Sequence, residues 1–97
     1  MSKFGAFSHY RPIRTQTVTI SGTTAATSNG VGSGIMVVRI VSTTNCHYAV
    51  GAAPTATTSG PYLPAATVEY ISIHQGEKVA FIQNAAGGTA YVTEASQ

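Results

Sequence analysis

The sequence predicts an all-β fold: a small antiparallel β-sandwich or partly closed barrel with an extended N-terminal arm. Three observations predict it. Short runs rich in Val, Ile, Thr and Tyr recur along the chain, and in this composition such runs read as strands. Clusters of Gly, Asn, Ser and Pro separate them at intervals of roughly 8–12 residues, the spacing of sandwich turns. No stretch carries a helical period with caps at its ends.

Residues 1–14 form the arm, and 15–97 a single β domain. In the arm Phe4, Phe7 and Tyr10 recur every third residue, while Lys3, Arg11 and Arg14 supply three of the chain's five basic residues. Gly5 and Pro12 leave hardly two turns for a helix, too few to be stable alone. Pro12 also biases the residue before it toward extended backbone. Val18 and Ile20 alternate with Thr17, Thr19 and Ser21, the period-two pattern of a half-buried strand. The segment 23–34 is a loop with Asn29-Gly30 and Gly32-Ser33-Gly34 as turn chemistry. Ile35 to Val41 is the most apolar run, and its β-branched residues between glycines predict a strand buried on both faces. Arg39 within it is expected at an edge or paired with a Glu. Cys46 to Val50 is a short strand with Cys46, Tyr48 and Val50 on one face. Residues 51–64, with Pro54, Pro61 and Pro64, read as a surface loop. Val68 to Ile73 and Lys78 to Gln83 are expected as hairpin partners across Gln75-Gly76-Glu77. After a turn at 84–88, Ala90 to Thr93 closes the fold.

Charge is the unusual feature of the composition. Charged residues make up 8% of the chain and Asp is absent, against about 25% charged in an average soluble domain. A surface of Thr, Ser, Ala, Gly and Asn loses little when desolvated against a partner, because few ions must be stripped of water. That favours a component of an assembly. A formal net charge of +2 is too weak a field to imply nucleic acid. No apolar run approaches the roughly 18 residues of a membrane span, nor is there the apolar stretch of a signal peptide. The lone Cys46 excludes an internal disulfide framework and fits synthesis in a reducing cytoplasm.

Catalytic chemistry has little to build on. Neighbouring strand residues point to opposite faces, so Cys46 and His47 cannot form a nucleophile pair, and His47 is expected on the solvent face. His9, His47 and His74 are scattered, there is no Cys-x-x-Cys, and no metal or other cofactor is expected. Glu69 and Glu77 flank one connection, where a cross-strand ion pair of Glu69 with Lys78 or Arg39 is the simpler reading. The glycines at 30, 32 and 34 lack the Lys-Ser/Thr of a phosphate loop. Tyr48 and Tyr70 are expected at core edges. Tyr62 and Leu63, between Pro61 and Pro64, would present apolar bulk on a stiff backbone at small entropic cost.

Asn45-Cys46-His47-Tyr48-Ala49-Val50-Gly51, Ala53-Pro54-Thr55-Ala56-Thr57, Tyr62-Leu63-Pro64-Ala65, Gly76 to Ala80 and Val92 to Glu94 are similar to stretches of small virion structural proteins of tailed bacteriophages. The resemblance covers Ile35 to Glu94 and leaves the arm outside it. It implies a non-enzymatic virion component, a capsid decoration (cement) protein on the head surface, with the major capsid protein as partner. A homotrimer is the favoured oligomer, and neither nucleic acid nor membrane is an expected partner. Placement in head, neck or tail stays open, and the alternative is a receptor- or glycan-binding β-module of a tail or fibre. The expected contact residues are Phe4, Phe7, Tyr10, Arg11 and Arg14 of the arm, with Tyr62 and Leu63.

Overall fold

The structure, a computed structural model, describes residues 10–96. Its strands are β1 (Arg11–Ile20), β2 (Ala25–Ala26), β3 (Val37–Ser42), β4 (Cys46–Gly51), β5 (Tyr62–Leu63), β6 (Glu69–Ser72), β7 (Lys78–Gln83) and β8 (Gly88–Ser96). They form two four-stranded sheets, β1-β8-β3-β6 and β2-β7-β4-β5, and every pairing is antiparallel. The expected sandwich is therefore what the chain forms.

The pairings nest. β1 lies on β8, β2 on β7, β3 on β6 and β4 on β5. The chain behaves as one long antiparallel ribbon, folded over at the β4–β5 loop and then rolled until β3 meets β8 and β4 meets β7. This is the double-sheet jelly roll. Of the connections, β4–β5 alone stays within a sheet. The expected hairpin at Gln75-Gly76-Glu77 is thus corrected: β6 and β7 belong to opposite sheets. The turn is as tight as expected, with the Glu77 amide donating to the His74 carbonyl at 3.0 Å and Gly76 at a φ of 84°. A tight turn does not reveal whether the chain returns to its neighbour or crosses over.

Val18, Ile20, Val38, Ile40, Val92 and Ala90 from one sheet face Cys46, Val79, Phe81 and Leu63 from the other. β3 is not buried on both faces. Val38, Ile40 and Ser42 point into the core, whereas Val37, Arg39 and Val41 are half-buried on the outside. β2 and β5 fall in segments read as loops, since two residues are too few to show a period.

Strand β1 begins four residues before the expected start of the domain, so Arg11 to Arg14 belong to the sheet. Arg11 pairs with Ser96, Pro12 with Ala95 and Arg14 with Glu94, and the register shifts between Pro12 and Arg14. Pro12, which argued against a helix and for extended backbone, is tolerated in the strand because β1 is an edge. The bulge and the flanking charges blunt that edge against further pairing.

Candidate functional site

The two outer faces of the sandwich differ. On β2-β7-β4-β5 the outward residues include Ala80 of β7 and His47 of β4, yet both are buried. The cover is the chain's own β4–β5 loop. Its Ala56 amide donates to Thr24 Oγ1 at 2.8 Å beside β2. Farther on, the Gly60 carbonyl accepts from His47 Nδ1 at 3.0 Å. To reach both points the loop must cross the sheet. His47 is therefore not on a solvent face: its Nε2 meets Asn84 Oδ1 at 3.0 Å, and the Tyr62 ring lies tilted against it at 5.3 Å.

No such cover lies on β1-β8-β3-β6 among the described residues. The register places Thr15, Thr93, Arg39 and Tyr70 in one outward row, with Pro12, Ala95, Val37 and Ser72 in the next and Thr17, Tyr91 and Val41 beyond it. An exposed sheet face ordinarily alternates to polar residues. This one carries Val37, Val41, Tyr70 and Tyr91, with Met36 70% exposed at its margin. The Tyr10 ring stacks on Tyr70 with centroids 5.6 Å apart and planes at 25°. β1 and β6 are opposite edges of the sheet, roughly 14 Å apart at about 4.8 Å per strand. For these rings to meet, the Tyr10 side chain must lean inward over the face. Beneath the stack lies a groove of about 310 Å³ lined by Pro12, Thr15, Arg39, Thr93 and Ala95. A second hollow of about 350 Å³ continues it past Tyr10 toward Gly34, Met36 and Val37.

Arg39 is the one charged residue of those three rows. It pairs with no Glu and sits at no edge, contrary to expectation; among the described residues its guanidinium makes neither an ion pair nor a hydrogen bond. Thr15 and Thr93 share a hydroxyl–hydroxyl hydrogen bond of 2.9 Å beside it. Glu69, the expected partner, points inward and accepts from the Tyr48 hydroxyl at 2.9 Å. Burial first, then the bond to Glu69 and its charge, push the Tyr48 hydroxyl up to about 12. Tyr48 is thus tied into the sandwich, while Tyr70, expected at a core edge, stands outside.

Of the expected contact residues, Tyr10 lies on the open face and Arg11 is exposed on β1. Phe4 and Phe7 lie outside the described residues. Arg14 is committed within the chain, since it forms an ion pair with Glu94 and donates to the Gly30 carbonyl at 3.1 Å. Leu63 is corrected outright: it is fully buried in the core, because β5 turns it inward opposite Cys46 while its neighbour Tyr62 remains exposed. Arg39, Tyr70 and Val37, which the fold brings together on the open face, were not singled out as a group in the sequence. The available signal was the odd-numbered parity of Val37, Arg39 and Val41, where a cation in an apolar β run marks the outward face.

Among the described residues no three of His, Cys, Asp and Glu come together to hold a metal ion. Cys46 is buried, its thiol donating to Ser42 Oγ at 3.5 Å; burial pushes the thiol's pKa up, partly offset by that hydroxyl. The fold and the site define a jelly-roll sandwich with one face covered by its own loop and, among the described residues, one left open. Comparison with known protein families, curated proteins and solved structures finds no match for the chain.

Proposed function

We propose that this chain is a structural protein of a bacteriophage virion, a capsid decoration protein that docks on the head shell and stabilises it. The observation that carries the reading is the asymmetry of the sandwich. One outer face is closed by the β4–β5 loop; the other presents Tyr10, Tyr70, Val37, Val41 and Tyr91 around a single cation. An exposed face that mixes tyrosines and valines with small polar residues supports a protein contact, and a sheet face is broad enough to lie against the outside of a shell. Jelly rolls serve both in capsids and in lectins, so topology does not choose between them; the composition of the open face supports the protein contact. Several copies on one oligomer, a trimer in this reading, turn a weak single contact into a tight one through effective concentration.

The test is cosedimentation of the purified chain with heads assembled from the major capsid protein of the same genome. Binding should saturate at a fixed ratio of chain to capsid subunit. Tyr70→Ser combined with Val37→Ser should leave the melting temperature nearly unchanged and abolish binding, because both residues lie outside the core. No binding at about 10 μM, a free energy of about 7 kcal/mol, would overturn the proposal. Undiminished binding by the double variant would move the contact to another surface.

A further inference from the structure

Resting on the docking reading of the open face, we infer that the groove around Arg39 is a carboxylate clamp that receives an acidic segment of the partner protein. Arg39 is half-buried between Thr93 on β8 and Tyr70 on β6. A guanidinium removed from water without an anion is unfavourable, and its planar fork matches a carboxylate through two parallel hydrogen bonds. Thr15 and Thr93 hydroxyls line the same groove, and whichever accepts in their mutual bond keeps its own hydrogen free to donate. At about 30 Å³ per water, its 310 Å³ equals roughly ten waters, room for one acidic side chain and its flanking backbone.

No acidic side chain of the chain itself is free to go there. It holds three acidic side chains in all, and each is engaged at home. Glu94 pairs with Arg14, Glu69 accepts from Tyr48, and Glu77 accepts from the His74 amide at 2.9 Å. A second copy therefore has no free acidic side chain to offer, and we assign the anion to a different protein. An uncharged glycan would leave the guanidinium unmatched. It would also find one face of Tyr10 and of Tyr70 already taken by their mutual stacking. The apolar neighbours Val37 and Ala95 call for apolar residues beside the partner's acid.

The test needs no capsid. The Arg39 Nε–Hε signal and the Tyr70 ring signals are followed by NMR during titration with a blocked peptide whose central glutamate is flanked by valines. The glutamine version of that peptide and glucuronic acid are titrated in parallel. The glutamate peptide should shift both sets of signals saturably in the millimolar range, and the glutamine version should be weaker by about tenfold or more. Arg39→Gln should remove the response while leaving the melting temperature intact. Lys78→Gln, the same change of charge on the other sheet, should leave the response in place. Equal response to both peptides, equal loss in Lys78→Gln, a response to glucuronic acid alone, or no saturable shift up to about 20 mM would each overturn the clamp. A carboxylate response from a chain that ignores capsids would keep the clamp and discard the capsid.

Discussion

Replacing Arg14 by Ala should destabilise the fold far more than removing the charge of its partner. The pair is lopsided: the Glu94 side chain is 5% exposed and that of Arg14 44%. Without Arg14 a carboxylate is left inside the sandwich with no counterion. Breaking a fully buried pair costs about 3–5 kcal/mol. Water reaches this one from the arginine side, which lowers the figure to roughly 2 kcal/mol. Loss of the exposed hydrogen bond to the Gly30 carbonyl adds roughly 0.5 kcal/mol. At about 4–8 °C per kcal/mol for a domain of this size, the melting temperature should fall by roughly 10–20 °C. Glu94→Gln leaves a neutral amide of equal size inside and an arginine free to turn to solvent, so about 1 kcal/mol is expected. The double variant should be less damaged than the sum of the two, with a coupling of about 1 kcal/mol. Urea and thermal unfolding of the four proteins measure all of this. An Arg14→Ala protein as stable as the parent, or Glu94→Gln as the worse variant, would refute the placement of β1 against β8.

Two further outcomes are expected. Gly30→Ala should cost about 2–3 kcal/mol or prevent folding, because its Cβ would lie 2.3 Å from the Gly76 carbonyl oxygen; a thermal melt within a few degrees of the parent would contradict the packing of those two loops. Stability should also fall on the alkaline side. Cys46 and Tyr48 both hold their protons more tightly when folded, so their contribution is complete below the unfolded values of 9.0 and 10.0 and is lost as pH rises through the folded ones. In urea titrations from pH 8 to 12, Tyr48→Phe should flatten the upper part of that decline and Cys46→Ala the lower. Native Cys46 should resist iodoacetamide until the chain unfolds.

The all-β class was legible because alternation is local: Val18, Ile20, Cys46 and Phe81 reveal their parity within a few residues. What was not legible is pairing at a distance. Nothing in Gln75-Gly76-Glu77 distinguishes a hairpin from a crossover, and nothing in Tyr62-Leu63 announces that Cys46 and His47 will recruit them as a strand. Arg14 read as a free surface cation because its anion lies 80 residues away on β8. The β3 run was read as doubly buried from its hydrophobicity, although Arg39 at its centre already argued for one outward face. Leu63 shared a loop with Tyr62 in the sequence; in the fold period-two geometry sends the two to opposite sides.

The scarcity of acidic residues and the open sheet face are one physical fact. In a chain with three acidic side chains, each bonded within the chain, no acidic side chain remains to neutralise the outer surface of β1-β8-β3-β6. A free-standing protein would suffer for this, since an apolar, weakly charged face invites self-association. It does not coat itself in charge on the face that its own loop leaves open. Its described residues present there instead valine side chains, tyrosine rings and one unneutralised arginine. Each has the same property: it loses little or gains much when a complementary, acidic and apolar surface replaces water. Evenly spread charge would keep the free chain soluble at the cost of that exchange. On the proposed reading, a sheet whose described residues leave one side open, stapled from within by Arg14–Glu94 and Tyr48–Glu69, suits a protein whose working state is the bound one.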